Sequence, residues 1–180
     1  LTDYVNPFVG TDGYGNVYVV YYWGSETNYY FQKIIGKKMI FSDNGGKGKL
    51  ITNSYSGDIQ SSLRLTYSQN KIYITWVDGG CVYIKSISND GSVIVGGTAG
   101  IKIIDSYDYK GGYDVDIDSV GNIVAVWSDN TASTGSYDIY AKKFNSDLTP
   151  AWGGAKTIIS NNILTQKNPR VKIYDANYFY

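Results

Sequence analysis

The sequence has no histidine and very little glutamate, arginine, cysteine or proline. Its 180 residues include one glutamate, Glu26, two arginines, Arg64 and Arg170, and one cysteine, Cys81. Without histidine, Ser-His and Cys-His nucleophiles and histidine metal sites are excluded. A single cysteine cannot close an internal disulfide, so we interpret Cys81 as a small residue that is buried or lies at a strand edge.

Long apolar runs and a net charge are also missing. No stretch approaches the ~18 apolar residues of a membrane-spanning helix, and 16 acidic residues balance 16 basic ones. Without a long-range field, neither nucleic acid nor a membrane surface is expected as a partner. The chain instead has 19 tyrosines and 21 glycines, which are typical of strands and turns. Since no segment has the periodicity of an amphipathic helix, we predict an all-β chain.

A pattern of four short strands recurs along the chain. Its clearest part is an apolar second strand, which follows an asparagine at positions 16, 70, 122 and 177, spaced by 54, 52 and 55 residues. The predicted third strands are residues 29–34, 81–87 and 138–144, and the predicted fourth strands are residues 49–51, 101–104 and 156–159. We therefore divide the single domain, 1–180, into repeats at about 1–55, 56–108 and 109–163 and a partial repeat at 164–180.

The second strands are nearly continuous in apolar and aromatic residues, which is typical of strands covered on both faces. Neighbouring sheets stacked around an axis provide such cover, and four strands in a repeat of this length are typical of β-propeller blades. The predicted fold is therefore all-β, a β-propeller segment of about three and a half four-stranded blades. The tryptophans predicted to lie between adjacent blades are Trp23, Trp76, Trp127 and Trp152.

The third repeat carries a family resemblance. It contains Asp-x-x-Gly-Asn at 118–122, Trp-x-Asp at 127–129, Asp-Ile-Tyr-Ala at 138–141 and Trp-Gly-Gly at 152–154. On these motifs, residues 113–159 resemble the repeats of bacterial extracellular β-propeller proteins, which are secreted or lie at the cell surface. The resemblance implies propeller architecture and an extracellular or cell-surface location, but it implies no particular activity.

Closed propellers have about four to eight blades, so two alternatives remain for the ring. The sequence is part of a longer chain, or copies complete each other's blades by strand exchange through residues 168–180. Residues 6–9 match residues 168–171, since both read Asn-Pro-x-Val. The predicted partners are therefore other blades of the same protein or identical subunits, with a protein or glycan ligand as a further partner.

Three aspartates at alternate positions form a candidate calcium site. Because side chains alternate along a strand, Asp114, Asp116 and Asp118 are expected on one face. Clustered carboxylates supply the hard oxygens that calcium prefers. The alternative is a polar strand face in which Asp118 holds its own turn. Apart from this calcium, no cofactor is predicted.

The two arginines occupy similar places in the first strands of the second and fourth repeats. Arg64 and Arg170 lie near where Asp116 falls in the third repeat. Because the first strand of a blade lines the channel, we predict an Arg–Asp cluster near the axis. The cluster is either structural or a receptor for an anionic or sugar ligand.

Tyrosines near predicted turns are a second set of candidate binding residues. Exposed aromatic faces stack on sugar rings and anchor protein interfaces, while ordinary strand packing is the alternative. The candidates are Tyr29, Tyr30, Tyr107, Tyr109 and Tyr113.

No catalytic constellation is visible in the sequence, so we predict that the chain is not an enzyme. The predicted function is a non-catalytic extracellular or cell-surface module for binding, adhesion or structural scaffolding. Two alternatives remain: a fragment of a carbohydrate-active propeller enzyme whose catalytic residues lie outside this segment, or a subunit of an extracellular filament or sheath.

Overall fold

The described part of the chain folds into three antiparallel β-sheets. The computed structural model describes residues 7–24, 26, 28–53, 59, 62–105, 112–130, 136–175 and 178–180, and all statements below concern these residues. The chain divides into two compact units. The first comprises Leu1–Gly79 and Tyr83–Ile101, and the second comprises Gly80–Val82 and Lys102–Tyr180.

The first sheet contains five strands and one helical turn. They are β1 (Phe8–Thr11), β2 (Val17–Trp23), β3 (Asn28–Ile35), β4 (Lys38–Met39), the helical turn α1 (Asp43–Gly46) and β5 (Lys49–Thr52). The strand order is β1-β2-β3, and both β4 and β5 pair with β3.

The second and third sheets follow the same plan. The second contains β6 (Arg64–Ser68), β7 (Lys71–Asp78), β8 (Cys81–Ser88), β9 (Ile94–Val95) and β10 (Ile101–Ile104), in the order β10-β8-β7-β6 with β9 on β8. The third contains β11 (Tyr113–Ile117), β12 (Ile123–Asp129), β13 (Asp138–Phe144), a 3-10 turn at Trp152–Gly154 and β14 (Thr157–Ser160), in sequential order.

A short hairpin follows the third sheet near the end of the sequence. Ile173 forms an antiparallel bridge with Phe179. The Lys172 N–H donates to the Tyr180 carbonyl at 2.8 Å, and the Tyr180 N–H donates back at 3.0 Å. We call residues 171–175 and 178–180 the terminal hairpin. It matches the first two strands of the predicted partial repeat.

Apolar side chains from two sheets form the core of the first unit. In β2, Tyr18, Val20 and Tyr22 are buried and alternate with half-buried residues, as expected of a strand with one fully covered face. They belong to a cluster that also contains Ile72, Ile74 and Trp76 of β7 and other buried residues of both sheets. The first and second sheets therefore pack face to face.

The hairpins that begin the first and third sheets share one turn geometry. Asp118 Oδ1 accepts hydrogen bonds from the Val120 and Asn122 N–H groups at 2.9 and 2.8 Å, and Asp12 makes the corresponding bonds in the first sheet. The second sheet instead has a two-residue turn in which Gln69 and Asn70 have φ of 51° and 54°. Two positive φ angles are what the common tight hairpin turn requires.

Candidate functional site

The predicted calcium triplet does not assemble as a set of ligands. Asp114 Oδ2 accepts the Val171 N–H at 3.2 Å, and Asp116 Oδ2 accepts the Ile173 N–H at 2.7 Å. Asp118 lies beyond the end of β11 and is folded into its own turn. Within the described ranges, no three Asp, Glu, Cys or His side chains form a group able to hold a metal ion.

In the second unit, Asp116 forms an ion pair with a lysine and not with the predicted arginine. Asp116 Oδ1 accepts a hydrogen bond from Lys172 Nζ at 3.0 Å. The exposed Arg170 donates instead to the neighbouring Pro169 carbonyl at 2.9 Å. Arg64 begins β6 in the first unit, where it pairs with Thr75 across the hairpin and is exposed. Asp116 therefore binds two residues of the terminal hairpin, Lys172 and Ile173, and neither arginine is its partner in the hydrogen bonds described here.

The tyrosines predicted to be exposed are buried wherever the structure describes them. Tyr29 is 1% exposed and Tyr30 is 3% exposed, because both lie inside β3 rather than in the preceding turn. Tyr113 is also buried. Tyr107 and Tyr109 lie outside the described residues. Packing, rather than ligand stacking, therefore accounts for Tyr29, Tyr30 and Tyr113.

The four tryptophans have different surroundings. Trp76 lies in the cluster shared by the first and second sheets. Trp127 is buried and stacks on Tyr140 of its own sheet, with ring centroids 5.9 Å apart. Trp152 is 42% exposed and contacts the ring of Phe179 in the terminal hairpin at 5.6 Å. Trp23 lies on the face of the first sheet opposite Tyr18, Val20 and Tyr22.

The lone cysteine has a structural contact. Cys81 is the first residue of β8 and is half-buried. Its Sγ donates to the Asp105 carbonyl at 3.1 Å. This position at a strand end agrees with the interpretation of Cys81 as a small residue at a strand edge.

The face of the first sheet that carries Trp23 is an apolar surface, of which the sequence analysis singled out only Trp23 itself. Val9 pairs with Val19 across the β1–β2 hairpin, and directly paired residues share a face. Tyr21 and Trp23 follow Val19 at alternate positions, and Met39 extends the face through its pairing with Ile34. Val9 is 61% exposed and Met39 is 64% exposed. We call Val9, Val19, Tyr21, Trp23 and Met39 the Trp23 surface.

A groove of about 530 Å³ lies at one end of the Trp23 surface. Its lining residues are Tyr21, Trp23, Met39, Gly45, Gly46 and Lys47. Side chains built on Gly45 and Gly46 would meet nothing within 4 Å. The open glycine backbone therefore leaves one wall of the groove free of side chains.

Two charges border this groove. Lys47 forms an ion pair with Glu26, and Lys47 Nζ lies 5.1 Å from the ring centroid of Trp23. The hydrogen bond from Lys47, together with one from Tyr30, holds the pKa of Glu26 below its usual value. The same bond to Glu26 raises the pKa of Lys47. The groove thus combines aromatic rings with a fixed donor and acceptor, a combination suited to binding.

No known family model and no curated protein sequence matches the chain. Among solved structures, an endo-arabinase from Bacteroides thetaiotaomicron VPI-5482 matches with a TM-score of 0.39 and 14% sequence identity, over 88% of this chain and 56% of that one. The chain therefore spans little more than half of that structure's length. None of the helices in the described part of the chain is long and apolar enough to cross a membrane.

Proposed function

We propose that this chain is a run of β-propeller blades that acts as a non-catalytic binding and scaffolding module outside the cell or at its surface. Three antiparallel sheets with one plan support the assignment as blades. The shared cluster of the first and second sheets adds to this support, because stacked sheets bury both faces as propeller blades do.

The Trp23 surface is the observation that carries the binding role. Val9 and Met39 are exposed on this face, beside the half-buried Val19, Tyr21 and Trp23, and apolar side chains gathered on one exposed sheet face mark interaction sites. Here they adjoin a groove with an ion pair at its border. An aromatic ring beside a fixed donor and acceptor suits either a sugar ring or a protein side chain.

The carboxylates of the third sheet support a structural rather than a catalytic role. Asp114 and Asp116 hold backbone N–H groups of the terminal hairpin, and Asp118 holds a turn. A general acid or base needs a carboxyl group that can exchange a proton with a substrate. The carboxylates of Asp114, Asp116 and Asp118 are instead engaged by backbone N–H groups of the chain itself.

The test measures binding and hydrolysis on one set of targets. Biotinylated chain is offered to immobilised polysaccharides and to the immobilised chain itself, while the supernatant is assayed for reducing sugar. We expect retention on at least one target, reduced by Trp23→Ala and by Met39→Lys, without sugar release. Tyr14→Ala alters an 83% exposed aromatic residue outside the Trp23 surface and should leave retention unchanged.

Sugar release by the wild-type chain would overturn the non-catalytic assignment in favour of a carbohydrate-active enzyme. If the chain is retained on no target, or if neither substitution reduces its retention, the Trp23 surface is not a binding site.

A further inference from the structure

A second groove lies between the first and second sheets and has a volume of about 320 Å³. The first sheet lines one side with Asp43 and Asn44 of α1 and Lys49 and Leu50 of β5. The second sheet lines the other side with Ile94 of β9 and with Gly97 and Thr98 of the turn that follows. Both sides belong to the first compact unit. The chain therefore forms this groove from two of its own sheets.

The second side of this groove repeats the plan of the groove beside Trp23. Ile94 of β9 and Met39 of β4 each pair with the third strand of their own repeat. The turn after each strand contains a glycine, Gly97 or Gly45, where a Cβ would meet nothing within 4 Å. The same part of two repeats therefore lines a groove. In the second repeat, described residues of the first sheet also supply the opposite wall.

An ion pair lies on the first side of the groove. Lys49 Nζ is 2.9 Å from Asp43 Oδ1, and the side chains of Lys49 and Asp43 are 19% and 43% exposed. Lys49 Nζ also lies 5.6 Å from the ring centroid of the buried Phe41, which gives the ammonium a second favourable contact. The hydrogen bond from Lys49 lowers the pKa of Asp43. A charged donor and a charged acceptor are therefore held side by side at neutral pH.

The rest of the lining combines polar and aliphatic groups. Asn44 Nδ2 donates to the Gly48 carbonyl at 2.7 Å, which orients the amide in its turn. Thr98 adds an exposed hydroxyl group on the opposite side. Leu50 is half-buried and Ile94 is 39% exposed. Each side of the groove thus offers polar groups and one aliphatic side chain.

The charges of the groove favour a neutral ligand. A carboxylate ligand would be attracted to Lys49 but repelled by Asp43, whose oxygen lies 2.9 Å from the same ammonium nitrogen. An amine ligand would meet the reverse. Two hydroxyl groups on neighbouring carbons avoid this conflict, because one donates to the carboxylate while the other accepts from the ammonium. Carbohydrate rings carry such hydroxyl pairs and also present C–H faces to aliphatic side chains.

We propose that this groove binds one ring of a neutral carbohydrate, with neighbouring hydroxyl groups on Asp43 and Lys49 and a C–H face on the aliphatic side chains. Its volume of about 320 Å³ lies at the lower end of the range of ligand pockets, about 300–1,000 Å³, which suits a single ring. The site uses none of the residues of the Trp23 surface, so it stands or falls separately from the binding role proposed above.

The test titrates the isotope-labelled full chain with methyl glucoside, methyl galactoside and methyl mannoside and follows the amide signals by NMR. We expect saturable shifts at Asn44 and Gly97, with a Kd on the order of 1 mM for a ring of this size. Glucuronate and glucosamine are the charged comparisons, and each should bind more weakly than methyl glucoside. The indole N–H of Trp23 reports separately on the Trp23 surface.

Three substitutions each remove one contact of the proposed ligand. Asp43→Ala and Lys49→Met should each weaken binding by about tenfold or more, as expected for the loss of a charged hydrogen-bond partner. Ile94→Ala removes part of the C–H contact and should weaken binding by about threefold. Asp105→Ala breaks another Lys–Asp pair, with Lys142 at 2.8 Å, whose residues do not line the groove, and should leave the Kd unchanged. Circular dichroism checks that every variant is folded.

The inference is overturned if no neutral sugar gives saturable shifts at about one hundred times the expected Kd. Equal weakening by Asp105→Ala, or tighter binding of glucuronate or glucosamine than of methyl glucoside, would also overturn it. If the sugar shifts only the indole signal of Trp23, the binding role of the Trp23 surface stands and this site is wrong. Shifts at Asn44 and Gly97 in a chain that Trp23→Ala does not affect would support this site and not the Trp23 surface.

Discussion

The backbone N–H of Ile173 donates to Asp116 Oδ2 at 2.7 Å, across 57 positions of the sequence. Asp116 Oδ1 also accepts a bond from Lys172 Nζ, and Asp114 receives the Val171 N–H in the same way. Two carboxylates of β11 therefore take the place of a strand partner for the terminal hairpin. A backbone donor beside an apolar cluster needs such an acceptor, because a buried unpaired N–H is costly.

Asp116→Ala should detach or loosen the terminal hairpin. The substitution removes the acceptor of a part-buried N–H and the partner of Lys172, so we expect a loss of about 1–3 kcal/mol in the free energy of unfolding. Urea denaturation measures this loss, and limited proteolysis should show earlier cleavage within residues 164–180. The control is Asp105→Ala, which breaks only an ion pair with Lys142 whose aspartate side chain is 71% exposed.

The Asp105 control should cost no more than about 1 kcal/mol, as is usual for surface ion pairs. Equal losses for the two variants would show that the backbone bond to Ile173 contributes nothing beyond the ion pair.

Asp12 should make the chain sensitive to acid. Burial by itself raises the pKa of Asp12, but hydrogen bonds from Asn16, from the Tyr14 N–H and from the Tyr18 hydroxyl outweigh it and lower the pKa to about 2. A carboxylate with a lowered folded-state pKa stabilises the fold above its unfolded value, near 3.8, and this stabilisation is lost as the pH falls towards 2. The structure assigns this effect to the folded turn at 12–16.

The comparison is between the wild type and Asp12→Asn, whose unfolding free energies are measured at several pH values. Asparagine does not titrate, so the advantage of the wild type should be greatest near neutral pH and should shrink between pH 3.8 and 2. An advantage that stays constant over this range would mean that the charge of Asp12 does not contribute.

Local patterns in the sequence predicted the strands closely. The third strand of the last full repeat was expected at residues 138–144 and lies at Asp138–Phe144. The third strand of the first repeat was expected at residues 29–34 and lies at Asn28–Ile35. Asp118, for which the sequence analysis offered the alternative role of holding its own turn, does hold the hairpin turn at 118–122. These features depend on alternation and on residues with strong turn preferences, and both are properties of short segments.

Contacts between distant segments were not predictable in the same way. Alternation correctly placed Asp114 and Asp116 on one face, but it contained no sign that the terminal hairpin would supply their donors. Tyr30 was expected to be exposed because it follows a predicted turn. In the structure, Lys47 Nζ lies over the ring of Tyr30, 5.8 Å from its centroid. The prediction that Trp23 lies between adjacent blades was a sequence signal for the Trp23 surface, but it gave no sign of the neighbouring groove.

A buried lysine, Lys85, should make the free energy of unfolding depend on pH in the alkaline range. Lys85 is fully buried, and its Nζ donates to the Leu50 and Ile51 carbonyls. Burial lowers the pKa of Lys85 from 10.5 to about 8. Between these values the unfolded chain holds the proton more often than the folded chain. The free energy of unfolding should therefore rise with pH in this window, by an amount on the order of 2–3 kcal/mol.

Lys85→Met should remove this rise. Below pH 8 the variant should be at least as stable as the wild type, because a buried charge that donates to two backbone carbonyls is replaced by an apolar side chain of similar length. Above pH 8 the wild type should gain on the variant. Lys102→Met removes one positive charge from an exposed position of β10 and should leave the pH dependence unchanged. Parallel pH curves for wild type and Lys85→Met would contradict the burial of the charge.

Substitutions at two glycines in one loop should distinguish the cost of disturbed packing from the cost of backbone strain in the core of the first unit. Gly97 and Gly100 have φ of +53° and +77°, but only Gly100 faces a side chain. A Cβ on Gly100 would lie 2.4 Å from Trp76, whereas a Cβ on Gly97 would meet nothing within 4 Å. Gly97→Ala should therefore cost only the left-handed strain of about 1–2 kcal/mol.

Gly100→Ala should cost that strain and, in addition, about 1–3 kcal/mol for displacing Trp76 from the cluster shared by the two sheets. Urea denaturation gives both free energies, and the tryptophan fluorescence of the folded protein should change only for Gly100→Ala. Equal losses with unchanged fluorescence in both variants would show that Trp76 moves aside without cost, and the close packing of Gly100 against Trp76 would then be wrong.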